Sequence, residues 1–182
     1  YVMALAAIDE CVRNLVCVGA DPSRIAILDN FCWPSCNDPR NLGALVRAAE
    51  GCYDGAKAYR TPFISGKDSL NNQFMTDDNR TIQIPYTLLI SGMGIVPDVR
   101  HCVTMDAKRV GNLLILVGQT NARMGGSHYQ MIHGDVRDGA LPMVDLQAGP
   151  RIAGGVREAI ARRLVPSAHH CSDGGLVGAG SG

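Results

Sequence analysis

Glu10 and Asn14 are the first residues of this chain whose types and spacing could bind a ligand. They stand four residues apart in a stretch of helical periodicity, so their side chains share one helix face. Carboxylate and amide oxygens suit a hard cation such as Mg²⁺. The alternative is an ordinary solvated face, because Asp9 and Arg13 have the same spacing and such pairs are common on helices. Spacing alone favours the solvated face.

Three glycine-containing segments could bring backbone amides to a phosphate. Gly66, Lys67 and Ser69 follow an apolar run, where amides and a lysine ammonium can meet an anion. This is not a Walker loop, since the four-residue spacer between glycines is absent. Gly125-Gly126-Ser127 and the segment Ser172 to Gly175 also offer bare backbone. The alternative for each segment is a plain turn or connection, which is the commoner role of an isolated glycine pair.

Histidines and cysteines give weaker signals. His169 and His170 are adjacent, so on an extended segment they point to opposite faces, and we expect one buried and one exposed ring. A nucleophilic pair of Cys171 with a histidine lacks an identifiable third residue to orient it. The seven cysteines are an odd number, which argues against a disulfide framework, and no second ligand pair follows Cys32 and Cys36 to build a zinc site. The residues alone assign no catalytic group.

Composition excludes several classes of protein. The 182 residues carry 17 Lys and Arg against 17 Asp and Glu, so no basic excess indicates a nucleic-acid partner. An apolar content of 46% argues against disorder, and no apolar run is long enough for a membrane span. The first residues show no export signal, so we expect a soluble, cytoplasmic protein. A start at Tyr1 inside a helical pattern and a glycine-rich end at 178–182 indicate a fragment.

The order of elements predicts a layered α/β or α+β fold. Helical periodicity predicts helices over residues 3–18, 38–59 and 150–164. Apolar runs predict strands over residues 24–28, 61–65, 86–96 and 112–117. The third of these strands is too apolar to face water on both sides. Polar composition predicts loops or linkers over residues 29–34, 71–81 and 106–109.

Five strings in this order resemble phosphoribosylformylglycinamidine synthase, and the resemblance extends over essentially the whole chain except its last five residues. The strings are AIDECVRNLV (7–16), ILDNFCW (27–33), TPFISGKDSLNN (61–72), GGSHY (125–129) and SDGGL (172–176). That family converts formylglycinamide ribonucleotide to formylglycinamidine ribonucleotide in purine biosynthesis, with ATP, Mg²⁺ and glutamine-derived ammonia. The resemblance implies a fragment of an ATP-dependent carbon-nitrogen ligase that is inactive by itself.

The resemblance also implies a domain arrangement. Each half of the family's synthetase pairs an AIR-synthetase-type N domain with a C domain, and this chain resembles part of the second half. We expect an N domain over 1–108, the start of a C domain over 109–177 and a flexible tail at 178–182. The implied partners are the other half of the synthetase, a glutaminase, a nucleotide (ATP or ADP) and a small-molecule substrate.

By resemblance, Glu10 and Asn14 match positions that hold Mg²⁺ near a bound nucleotide. Gly66, Lys67 and Ser69 fall in a glycine-rich loop that touches nucleotide, metal and substrate, although many members have Asn where Lys67 stands. The residues expected to contact nucleotide, phosphate or substrate are therefore Gly66, Lys67, Ser69, Gly125 and Gly126, in addition to a serine of the last motif.

The last motif carries a departure from the family pattern. Ser172 matches a nucleotide-contacting serine of the SDGG turn. The family usually has His-Asp before that turn, whereas this chain has His169-His170 and so lacks a carboxylate that is normally a metal ligand. The family's catalytic histidine belongs to the first half, and in some members the second half holds a nucleotide that is not turned over. Two alternatives follow: a structural nucleotide-holding half, or another member of the AIR-synthetase superfamily.

Overall fold

The computed structural model describes residues 1–134 and 139–180. Its helices are α1 (Val2–Cys17), α2 (Pro39–Tyr59), α3 (His128–His133), α4 (Ala148–Ala161) and α5 (Gly175–Gly180). Its strands are β1 (Ile25–Cys32), β2 (Phe63–Ser69), β3 (Gln73–Met75), β4 (Thr81–Gln83) and β5 (Thr87–Gly94). None of the helices in these ranges has both the length and the apolar character needed to span a bilayer.

A three-stranded mixed sheet forms the centre of the N-terminal part. Its strand order is β2-β1-β5, with β1 parallel to β2 and antiparallel to β5. The β1–β2 register has one irregularity, after which Asp29 pairs with Gly66 and Asn30 with Lys67. The predicted combination of helices and strands in an α/β or α+β fold is confirmed.

Helix α1 packs a continuous apolar stripe on one face of this sheet. The buried residues of α1 recur at helical spacing: Ala4, Leu5, Ile8, Val12 and Val16. Three of them join Ile25 and Ile27 of β1 and Tyr59 of α2 in one hydrophobic cluster. Trp33 lies in a second cluster farther along the sheet. Burial of the stripe leaves the opposite stripe of α1, with Glu10 and Asn14, exposed.

Helix α2 starts and stops where local signals require it. The Asp38 side chain accepts a hydrogen bond from the Arg40 amide at 2.8 Å, and Pro39 takes the first helical position. Arg60 ends the helix with a left-handed φ of 57°. These caps confirm the helix predicted over 38–59.

Two glycines of α2 set its distance from α1. A Cβ at Gly51 would lie 2.9 Å from the Cβ of Ala4. A Cβ at Gly55 would lie 2.9 Å from Cδ1 of Ile8. The helices therefore pack backbone to side chain at these points, closer than larger residues would permit.

Two predicted loops are wrong. Residues 29–34 were expected to be a loop, but β1 continues to Cys32 because it has hydrogen-bonding partners on both sides, in β2 and β5. Within 71–81 a loop was also expected, yet Gln73–Met75 pair with Thr81–Gln83 as an exposed hairpin. Polar composition does not exclude a strand when its backbone partner lies nearby in the chain.

The strand predicted over 112–117 is also wrong. These residues are irregular, and Leu113 and Leu114 are 86% and 89% exposed. A strand needs a neighbour for its amides and carbonyls, and in the described ranges nothing pairs with this run. At the C terminus, Gly175–Gly180 form α5. Residues 181–182 lie outside the described residues, so the flexible tail expected over 178–182 stays a prediction.

Strand β5 has one buried face, as its apolar composition predicts. Leu88 is buried beneath the helices, whereas Leu89 and Met93 on the opposite face are exposed. In the described part of the chain, the helices that contact the sheet cover only the face bearing Ile27 and Phe31. The other face, which we call the outer sheet face, carries Leu89 and Met93.

We expect the outer sheet face to make the chain self-associate, because a contiguous apolar surface on an open sheet favours pairing. Light scattering should give a mass above that of the monomer. Leu89→Lys combined with Met93→Lys should lower it, while Val46→Lys, at an exposed apolar position on α2, should not. A monodisperse monomer of the unmodified chain would count against this prediction.

Candidate functional site

The exposed face of α1 presents the predicted metal ligands. Glu10 and Asn14 lie one turn apart on this face, opposite the buried Ile8 and Val12. Within residues 1–134 and 139–180, no group of three or more His, Cys, Asp or Glu side chains is placed to hold a metal ion. Two oxygen donors fit Mg²⁺, which is commonly held by one or two protein ligands together with phosphates and water.

A long-range hydrogen bond brings the C-terminal turn to α1. The Arg13 guanidinium donates from Nη1 to the carbonyl oxygen of Cys171 at 2.6 Å, across 158 residues of chain. The next residue, Ser172, accepts a hydrogen bond from the Gly175 amide at 2.9 Å, which closes the turn. Gly174 and Gly175 have φ of 77° and 59°, values that glycine adopts readily. The structure therefore brings Ser172 to the helix that carries Glu10 and Asn14.

Asp9 and Arg13 do not form the solvated face that their spacing suggests. They form an ion pair of 2.7 Å whose side chains are only 16% and 32% exposed. Tyr59 of α2 donates its hydroxyl hydrogen to Asp9. Sequence reasoning found the spacing but not these tertiary partners, since neither the 50-residue nor the 158-residue separation leaves a local signal.

His170 lies within electrostatic reach of this ion pair. Burial lowers the pKa of His170, and Arg13 lowers it further, whereas the carboxylates of Glu10 and Asp9 act in the opposite direction. Its Nδ1 is buried, and the described residues provide it no hydrogen-bond partner. His169 is exposed, as the alternation predicts. A half-buried imidazole therefore occupies the position where the resemblance implies a metal-binding carboxylate.

Gly66 packs against Asp29 across the β1–β2 pair. A Cβ at Gly66 would collide with the Asp29 carboxylate, so this position has no space for a larger residue. Burial raises the pKa of Asp29, and Asp68 nearby raises it as well. Both effects disfavour a charged carboxylate beneath the helices.

Lys67 and Ser69 lie on the outer sheet face. They pair with Asn30 and Cys32, which alternate with the buried Phe31 along β1. The Lys67 ammonium donates a hydrogen bond to the Ser69 hydroxyl. The structure thus places Lys67 and Ser69 on the opposite side of the sheet from α1, and does not bring them together with Glu10 and Asn14.

The segment Gly125-Gly126-Ser127 makes local contacts. The Gly125 amide donates to the Ala140 carbonyl at 3.2 Å, and the Gly126 amide donates to the Gln130 side chain at 2.7 Å. Ser127 caps α3 by accepting a hydrogen bond from the Gln130 amide at 3.2 Å. Both glycine amides are therefore engaged within this segment, and the phosphate contact expected there stays a prediction.

His170 should make the chain less stable as the pH falls. Its pKa lies below the ordinary 6.5, so between the two values the unfolded chain binds a proton that the folded chain does not. The free energy of unfolding should therefore decrease as the pH is lowered through 6.5. In urea unfolding, His170→Gln should flatten this decrease and His169→Gln, at the exposed neighbour, should not. Parallel pH profiles for wild type and His170→Gln would contradict this expectation.

Comparison with known proteins gives matches along nearly the whole chain. The model of the AIR synthase related protein, N-terminal domain, matches residues 1–96, and that of the AIR synthase related protein, C-terminal domain, matches 109–181. Proteins named phosphoribosylformylglycinamidine synthase subunit PurL are similar to nearly the whole of this chain. The one from Synechococcus sp. (strain CC9902) is 36% identical over 181 residues, which are 96% of this chain and 23% of that protein.

Two further relatives of the same name come from other organisms. The Deinococcus radiodurans protein is 34% identical over 183 residues, and the Methanocaldococcus jannaschii protein is 35% identical over 179 residues. In both cases the match covers 97% of this chain and 24% of the relative, so the chain spans about a quarter of their length. The resemblance drawn from the motifs is confirmed. This chain belongs to the AIR synthase related protein family.

Proposed function

We propose that the chain is part of the second AIR-synthetase-like half of a longer ATP-dependent ligase, and that it contributes a nucleotide and Mg²⁺ subsite. The observation that carries the proposal is the hydrogen bond from Arg13 to the Cys171 carbonyl. It ties the residue before Ser172 to Arg13 of α1, which is next to Asn14 in the chain and three residues from Glu10. The names of the relatives support the same function.

Each residue of the subsite has a role suited to its chemistry. Glu10 and Asn14 supply two oxygen ligands, which leaves room for phosphate oxygens and water around Mg²⁺. The bound cation would offset negative charge on the polyphosphate. Ser172 contributes a hydroxyl and a neighbouring turn of bare backbone, which can approach a phosphate closely. The subsite therefore binds and orients the nucleotide.

The proposed reaction of the longer protein is amidine formation. ATP phosphorylates the carbonyl oxygen of the glycinamide group of formylglycinamide ribonucleotide and leaves as ADP, which turns that oxygen into part of a phosphate leaving group. Ammonia from a glutaminase partner then displaces phosphate. The reaction takes place in the cytoplasm. Because it also needs the other half of the synthetase, residues 1–182 by themselves are inactive on this proposal. On this proposal Lys67 and Ser69 belong to the side of the sheet that faces the other half.

A structural nucleotide-holding role is the second candidate, and one observation favours it. His170, which is half-buried, stands where the resemblance implies a metal-binding aspartate. An imidazole is a poorer ligand for Mg²⁺ than a carboxylate. A half that lacks this ligand is suited to retaining a nucleotide without turning it over.

Glu10→Ala in the full-length synthetase should weaken Mg²⁺-dependent binding of ADP about tenfold, because it removes one of two proposed metal ligands. Calorimetry of the purified synthetase would measure the change. Glu50→Ala, at an exposed glutamate on α2, is the matched control and should leave binding unchanged. Equal Mg²⁺-dependent affinity in wild type and Glu10→Ala would contradict the proposed subsite.

The same variant separates the two candidate functions. If Glu10→Ala loses turnover but still binds nucleotide at saturating ADP or ATP, the subsite serves catalysis. Loss of a copurifying nucleotide together with a lower melting temperature assigns it to a structural role. Nucleotide content, melting temperature and turnover should therefore be measured on one preparation.

His170→Asp should tighten Mg²⁺ binding at the subsite, because it replaces an imidazole with a hard oxygen ligand beside Glu10. His169→Asp makes the same change of charge at the exposed neighbour and should have a smaller effect. Titration of ADP-loaded synthetase with Mg²⁺ would measure both. Equal effects of the two variants would show that net charge, and not ligation at position 170, is responsible.

A further inference from the structure

Four groups form a continuous chain of hydrogen bonds that ends at the residue before the Ser172 turn. Tyr59 donates to Oδ1 of Asp9, and Arg13 donates from Nε to Oδ2 of the same carboxylate at 2.7 Å. Arg13 then donates from Nη1 to the carbonyl oxygen of Cys171 at 2.6 Å. We call Tyr59, Asp9 and Arg13 the Asp9 network. It connects the end of α2, the middle of α1 and the residue before Ser172.

The Asp9 network is largely removed from solvent. Tyr59 is buried, and burial together with the hydrogen bond to Asp9 raises its pKa, so its hydroxyl stays protonated and donates. Gly149 of α4 lies directly against the Tyr59 hydroxyl, and a Cβ there would also be 3.4 Å from Oδ1 of Asp9. Three helices thus enclose the carboxylate. Charge-assisted hydrogen bonds in such surroundings are stronger than their exposed counterparts.

The guanidinium geometry explains why an arginine is needed at position 13. Arg13 uses Nε for the carboxylate on its own helix and Nη1 for a carbonyl on another segment. A planar fork can hold both partners in fixed directions, whereas a lysine ammonium is a point charge on a flexible stem. Asp9 fixes the plane of the guanidinium, and Tyr59 fixes Asp9.

The turn after Cys171 needs such an external anchor. Gly174 and Gly175 both have positive φ, and glycine has the greatest conformational freedom of any residue, so the turn has little rigidity of its own. We propose that the Asp9 network is a positioning device that holds the Ser172 turn at a fixed distance from Glu10 and Asn14. This proposal rests on the proposed function of that subsite, because the turn needs a fixed position only if it contacts a bound nucleotide.

The test uses the full-length synthetase with Arg13→Lys and Tyr59→Phe. Each variant keeps the size and, for lysine, the charge of the side chain, but breaks one link of the Asp9 network. We expect Arg13→Lys to raise the dissociation constant of ADP in the presence of Mg²⁺ about tenfold, and Tyr59→Phe to raise it several-fold. Melting temperatures should change little by comparison.

Matched controls are available on the same chain. Arg162→Lys alters an exposed ion pair of the same spacing, with Glu158 at 2.6 Å, and Tyr53→Phe removes an exposed hydroxyl on α2. Neither should alter ADP binding. The double variant Arg13→Lys with Tyr59→Phe should be no worse than Arg13→Lys alone, because both act through Asp9.

Hydrogen exchange provides a readout that does not depend on nucleotide. The Gly175 amide, which donates to the Ser172 carbonyl, should exchange faster in both network variants and at the wild-type rate in both controls. Unchanged exchange and unchanged ADP affinity in Tyr59→Phe and Arg13→Lys would overturn the positioning role. If exchange rises while Glu10→Ala leaves ADP binding intact, the network holds the turn but the proposed function fails.

Discussion

Burial of one stripe of α1 fixes the orientation of everything on its other stripe. Ile8, Val12 and Val16 are almost fully removed from water, and each such side chain stabilises the fold by about 1.5–3 kcal/mol relative to its exposed state. Rotation of α1 by about half a turn would expose this stripe and bury the Glu10 carboxylate. The outward direction of Glu10 and Asn14 is therefore a consequence of hydrophobic packing on the sheet.

Features coded locally could be predicted from the sequence, and features that depend on distant partners could not. The bounds of α1 and α2 follow from apolar periodicity and from the cap at Asp38, all within a few residues of each helix. The extension of β1 to Cys32 depends on strands that begin 31 or more positions later, as the pairing of Cys32 with Ser69 and Thr87 shows. The run 112–117 has strand composition, but composition cannot supply the neighbour a strand requires.

The candidate site shows the same division. The i, i+4 spacing predicts that Glu10 and Asn14 share a face, and the structure agrees. Lys67 and Ser69 were grouped with them by motif, yet the register of β2 on β1 places them on the outer sheet face. A ligand that contacts both groups must pass around the sheet, or the groups serve different ligands. The role of Arg13 was missed because its partner, Cys171, is remote in sequence.

The most direct test of the account is a crystal structure of the full-length synthetase with ADP and Mn²⁺ in place of Mg²⁺, recorded at the manganese absorption edge. The account predicts an anomalous peak within ligand distance of a Glu10 carboxylate oxygen and the Asn14 amide oxygen, with the ADP phosphates between that ion and Ser172. An ADP bound with its manganese elsewhere, and no anomalous density beside α1, would contradict it.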